Sequence, residues 1–171
     1  GVWLDGQTDS DTYVVAVTGK GLTVNVNKDN ANQQMNYASG VTMQDGSKMD
    51  LQGDLKLHVE AANEIDGIRI RDWSYSGAAN TLQAQNLEIY AKTSDGRIKG
   101  INSEGAHDKL TIAGSTNIKL EGQGNVAGIL IQGSDADSSF GKTVLDVTST
   151  TDSILDEWDS AHYVYGFSQF S

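Results

Sequence analysis

The chain contains no cysteine and no proline. Without cysteine there is no disulfide, no thiolate nucleophile and no sulfur ligand for a metal, and the redox compartment is left open. Basic residues are also scarce, 12 Lys plus Arg against 23 Asp plus Glu, for a net charge of −11. Such a chain repels a phosphate backbone unless it has a local basic strip. The sequence has none, so no nucleic-acid partner is expected. No apolar run approaches the ~20 residues that a membrane-spanning helix needs. No basic segment followed by an apolar one opens the chain, so no signal peptide is expected here; the leader of a secreted parent would have been removed or would lie outside this segment. Helical periodicity is missing as well, except in the short "SILDEWDSA".

What is present is a repeat. The 171 residues suit one domain, or a slice of a longer protein. Glycine is abundant at 19 residues, and Asn, Ser and Thr are frequent, a β-rich and turn-rich profile. "YASGVTMQD", "EIDGIRIRD", "RIKGINSEG", "VAGILIQG" and "YVYGFSQF" each place a small or apolar residue two before a Gly and a large apolar residue directly after it. The glycines are 40, 67, 100, 128 and 166. Upstream of each stands an alternating run: Leu22, Val24, Val26; Leu55, Leu57, Val59; Leu87, Ile89, Ala91; then Ile118, Leu120. A further run precedes that one: Tyr13, Val15, Val17; Met49, Leu51; Leu82, Ala84; Leu110, Ile112; Leu145, Val147.

Period-2 alternation marks strands with one buried face. Three such strands per unit of about 30 residues, repeated five times, fit a chain that coils and lays equivalent strands on one another. The expected fold is all-β: a right-handed parallel β-helix of about five coils with three short strands per coil, forming a single domain over 1–171. Two inward positions three apart cannot share one face of an unbroken strand. Parity must therefore slip at each Gly, so a corner or bulge is expected there, with Ile65 and Ile68, Ile98 and Ile101, Val126 and Ile129, and Val164 and Phe167 all facing inward.

With three strands per coil, Gly-Ile corners, acidic and Asn-rich turns and no Cys, residues 12–170 resemble a passenger segment of a bacterial autotransporter. The resemblance is one of pattern. It implies a fragment of an extracellular protein on the bacterial cell surface, an adhesin, without cofactor.

Sites are expected in the loops that leave the corner after the third strand. There "RDWSYSGAAN", "NSEGAHD" and "QGSDADSSFGK" bring Trp73, Tyr75, His107, Asp135, Asp137 and Phe140 toward one surface. Aromatic rings beside carboxylates suit a sugar, which makes Trp73, Tyr75, Asp135, Asp137 and Phe140 the candidate ligand-binding residues. The alternative is that Trp73 and Phe140 fold back over the flank of the helix. The Asp-x-Asp pairs of "GSDADSS" and "DGQTDSDT" offer oxygen ligands for Ca²⁺ but match no EF-hand or glycine-rich calcium repeat, and read better as solvated turns. The segment "DSILDEWDSAHY" breaks the pattern and reads equally as a short helix or as a loop. His58, His107 and His162 lack metal-ligand spacing, and no Ser stands in a nucleophile motif, so neither a metal nor a catalytic residue is expected.

The outward strand residues Lys56, His58, Glu88, Tyr90, Lys119, Arg69, Asn102 and Leu130 form no carboxylate ladder of the kind a glycoside hydrolase needs. The expectation is a non-catalytic surface scaffold or adhesin segment. Its partners would be a glycan or a host-surface protein, and its open ends would permit end-to-end self-association. The alternative is a fragment of a carbohydrate-active β-helix: a polysaccharide lyase, a hydrolase or a phage tailspike.

Overall fold

The computed structural model describes residues 1–5, 16–27, 37–61, 63–71, 79–94, 96–105, 107–132, 137–149 and 164–169. Every element within them is a strand: β1 (Val2–Asp5), β2 (Ala16–Gly19), β3 (Leu22–Val26), β4 (Tyr37–Gln44), β5 (Lys48–Leu51), β6 (Asp54–Ala61), β7 (Glu64–Arg71), β8 (Thr81–Ala84), β9 (Asn86–Thr93), β10 (Ile98–Ser103), β11 (Lys109–Gly122), β12 (Val126–Ile131), β13 (Asp137–Ser149) and β14 (Val164–Gln169). The paired strands run parallel, and the chain winds as a right-handed parallel β-helix of about four turns. The expected coil count was five. The first and last coils contain residues 28–36 and 150–163, which fall outside the described residues. The "SILDEWDSA" segment and the Asp-x-Asp pairs fall mostly outside them too.

Three ladders make the walls. The Gly-centred strands stack in the order β1-β4-β7-β10-β12-β14. A second ladder carries the regular alternating run, β3 on β6, β6 on β9, β9 on the second half of β11, and that on the second half of β13. The remaining ladder is β2 on β5, β5 on β8, β8 on the first half of β11, and that on the first half of β13. Alternation decides which side chains go inside: in β6 Leu55, Leu57, Val59 and Ala61 are buried while Lys56 is exposed. One column then reads Val24, Leu57, Ile89, Ile118 and Leu145, like on like from coil to coil. Each fully buried aliphatic side chain stabilises the stack by roughly 1.5–3 kcal/mol.

One run is misplaced by sequence spacing. Leu145 and Val147 do not continue the column of Leu110 and Ile112; they lie on Ile118 and Leu120, in the second ladder. Leu110 and Ile112 are continued by Ser138 and Phe140. A polar Ser at the first of these positions breaks the apolar pattern, and a bulge between Ile112 and Ser115 shifts the register by one residue. Residues 137–141, expected as part of a loop, are therefore the start of a strand.

The glycine column has a steric cause. A Cβ on Gly67 would lie 2.5 Å from the Gly100 carbonyl oxygen and 2.8 Å from Cγ2 of Ile89. The same collision with the next coil recurs at Gly40 with Gly67, at Gly100 with Gly128 and at Gly128 with Gly166. Since the Cβ position of Gly67 points at a core side chain and Ile68 is also fully buried, two successive residues face inward. The strand bends there, and the parity slip follows.

Candidate binding surfaces

The corner loops lie outside the described residues at Trp73, Tyr75 and Asp135. Asp137 is exposed at the first position of β13, and its N–H donates to the Asp108 carbonyl 3.0 Å away, beside His107. Phe140 is half-buried and packs against the core cluster, stacked on Ile112.

Among the described residues that flank them runs a buried polar ladder. Asn80 Oδ1 accepts from Gly46 N at 3.1 Å, Ser47 N at 3.0 Å and Ser47 Oγ at 3.1 Å. Asn80 Nδ2 donates to Asp108 Oδ1 at 3.0 Å, and Asp108 Oδ2 accepts from Ser103 Oγ and the Gly105 N–H. Asp45 and Gly46, with φ of 55° and 81°, set the tight turn that aims these donors. These groups are spent on holding the corner in place, because each would otherwise be a buried unpaired polar group.

Two outward faces differ. On the second ladder the outward residues are largely exposed and knit by ion pairs. Lys56 Nζ lies 3.7 Å from Glu88 Oε2, Lys92 Nζ 3.4 Å from Glu121 Oε2 and Lys119 Nζ 3.0 Å from Glu121 Oε1. The hydrogen bond and charge of Lys119 hold the Glu121 carboxyl below its usual range. The His58 ring packs on Tyr90 at 4.8 Å, and a shallow depression of about 220 Å³ separates Tyr90 from Val144.

The Gly-centred ladder is creased instead. Asp66, Asn102, Ala127 and Leu130 point outward by parity, yet are only 1%, 1%, 8% and 8% exposed. Bending at the glycine column folds this face into a groove. At one end of it stand Trp3, 64% exposed, and Tyr37, 38% exposed. The Tyr37 hydroxyl donates to Asp66 Oδ2 at 3.0 Å, and the Arg69 guanidinium lies over the Tyr37 ring at 5.7 Å. Arg69 also reaches Glu104 at 3.3 Å and Asp66 at 3.7 Å. Burial, with the Asp66 charge, pushes the Tyr37 phenol up to about 12. Burial likewise raises the Asp66 carboxyl, against the opposing pull of Lys99. A cavity of about 460 Å³ opens here, lined by Trp3, Tyr37, Ser39, Thr42, Arg69 and Arg71.

Sequence reasoning placed Arg69 and Asn102 outward but passed over this cluster. The available signal was that two of the chain's three arginines, Arg69 and Arg71, sit on one strand with Glu64 and Asp66. Among the described residues no group of three His, Cys, Asp or Glu side chains is arranged to hold a metal ion, and no helix is long and apolar enough to cross a membrane. Comparison of the chain with protein-family models, with curated proteins and with solved structures gives no match.

Proposed function

We propose that this chain is a segment of an extracellular, non-catalytic bacterial surface scaffold of the adhesin or autotransporter-passenger type, which recognises a glycan or a host-surface protein. The observation that supports this reading is how the outward charges of the second ladder are used. Lys56 is paired with Glu88 and Lys92 with Glu121 from coil to coil, while Lys119 holds Glu121 from its own strand, so these charges are spent on one another. Hydrolysis of a glycoside needs two carboxylates facing each other across a bound sugar, one of them kept protonated. Glu121, held between two lysines with a lowered pKa, suits neither an acid nor an opposed pair.

Loops at one stacked corner offer the recognition surface, with Trp73, Tyr75, Asp135, Asp137 and Phe140 as the residues in or beside it. Open strand edges offer contacts for another copy of the chain. A glycan array on the soluble chain tests the reading, run beside an assay for new reducing ends or unsaturated products on the same polysaccharides. Binding without chain cleavage is expected; cleavage sinks the scaffold reading. Light scattering over a concentration series tests the association, and a strict monomer at the highest concentration counts against it.

A further inference from the structure

We propose that the crease bounded by Trp3, Tyr37, Thr42, Arg69 and Arg71 is a saccharide subsite that takes a neutral pyranose, separate from the corner loops. This rests on the reading of the molecule as a non-catalytic binding scaffold and gives that scaffold a ligand class and a second address.

Three observations converge. The first is size and shape: a cavity of about 460 Å³ lies within the range of small-ligand sites, about 300–1,000 Å³. The second is the lining. Trp3 and Tyr37 are two of the exposed large hydrophobic side chains, and they flank the same cavity. Ring faces stack on the C–H face of a pyranose, while the hydroxyls of Ser39 and Thr42 and the guanidinium groups of Arg69 and Arg71 meet its hydroxyls. The third is the floor. Asp66 Oδ1, Arg69 Nε and Asn102 Oδ1 are buried along the crease and have no hydrogen-bond partner in the protein. Buried polar atoms without partners are uncommon, and here two acceptors, Asp66 Oδ1 and Asn102 Oδ1, lie beside the crease, while Arg69 Nε has the Asp66 carboxylate 3.7 Å away. A ligand hydroxyl can donate to either acceptor.

Charge selects among saccharides. Arg69 is already paired with Asp66 and Glu104, and Arg71 Nε donates to Gln44 Oε1. With the Arg69 charge so engaged, the net charge of −11 over the chain disfavours a uronate or sialyl ligand relative to a neutral hexose.

The test uses the full chain with neutral α- and β-linked hexose tetrasaccharides and the same set carrying one terminal uronic acid. Binding is measured for the parent and for Trp3→Ala, Arg71→Gln and the double variant Trp73→Ala/Tyr75→Ala, each with its melting temperature. Binding of a neutral tetrasaccharide is expected, weakened about five- to tenfold by Trp3→Ala, since one stacking contact carries about that factor. Melting should be unchanged, because the Trp3 ring is exposed. In the corner-loop variant the Trp3-dependent part of that binding should remain. Neutral-sugar binding that survives Trp3→Ala and Arg71→Gln but fails in the corner-loop variant overturns the subsite and leaves the scaffold reading standing. Preference for the uronic-acid set overturns the ligand class. No binding to any member of either set overturns the subsite, and cleavage of any of them overturns the scaffold reading itself.

Discussion

The flat face of the second ladder and the creased face of the glycine ladder are built from consecutive strands of the same coils, one corner apart. On the flat face, strict alternation leaves Lys56, Glu88 and Lys92 in solvent, where Lys56 pairs with Glu88 and Lys92 with Glu121 across coils. On the creased face a glycine interrupts the alternation, and Asp66 and Asn102 are pulled under cover although they point away from the core. A single missing Cβ per coil therefore decides whether an outward polar residue is solvated or buried. Burial changes its chemistry: the Asp66 carboxyl is pushed up, while the half-buried Glu121 carboxyl is pulled down by lysines.

The most damaging way to break this contrast is from inside. Ile129 is 1% exposed, paired with Ile101 and with Phe167 of the neighbouring coils. Ile129→Asp puts an unpaired carboxylate into the stack and should cost several kcal/mol, enough to abolish a cooperative melt. A melting temperature within a degree or two of the parent would show that this column is not core.

Next comes the crease itself. In Gly67→Ala the new methyl meets the Gly100 carbonyl oxygen, a backbone atom fixed by the ladder, as well as the Ile89 side chain. Overpacking of this kind costs about 1–3 kcal/mol. The paired control is Glu88→Ala on the flat face, an exposed position, which should change stability by no more than about 0.5 kcal/mol. Equal losses from the two variants, measured by denaturant unfolding, would mean that the glycine column carries no special constraint.

The sequence made the inside of this molecule legible because apolar alternation is a direct statement about burial. Leu55 recurs in register as Leu87, and Ile65 as Ile98, and the strands follow. It failed where a column member is polar. Thr116 is fully buried opposite Leu87, and Ser138 stands where Leu110 predicts an aliphatic residue. Those two substitutions, with the bulge before Ser115, carried Leu145 and Val147 into the wrong ladder on paper. The cluster around Tyr37 was illegible for a different reason. Its members come from β1, β4, β7 and β10, and only stacking brings Tyr37 over Asp66 or Arg69 within reach of Glu104. Asn80 and Asp108 look like ordinary loop residues until the corners are superposed and their hydrogen bonds close.

A smaller effect sharpens the electrostatic half of the comparison. Burial holds the Asp66 carboxyl above its ordinary range, so the folded chain keeps a proton that the unfolded chain has already released. Stability contributed by this group is present at acid pH and declines as pH rises from the ordinary carboxylate range through the raised folded value. Asp66→Asn removes the titration, so its melting temperature should gain on the parent across that window. A second loss follows at alkaline pH, between the ordinary phenol value of 10.0 and about 12, where Tyr37 ionises in the unfolded chain first; Tyr37→Phe should abolish it. Melting curves that run parallel to the parent at every pH would refute both.

The smallest expected effect belongs to the flat face. Lys56 Nζ is 3.7 Å from Glu88 Oε2 and 3.9 Å from Asp54 Oδ2, with the lysine side chain 50% exposed. Exposed pairs of this kind are worth about 0–1 kcal/mol, since water screens the attraction and two long side chains lose rotamer freedom to make it. Lys56→Gln keeps most of the alkyl stem, so it isolates the charge. Its cost should be at most about 0.5 kcal/mol at low salt and should vanish near 1 M, where the Debye length of about 3 Å is shorter than the pair distance. Asp66→Asn, in a site where water does not reach the charge, should respond far less to the same salt. Unfolding of both variants at low and high ionic strength makes the comparison, and a salt response of equal size in the two would show that the crease is as wet as the flat face.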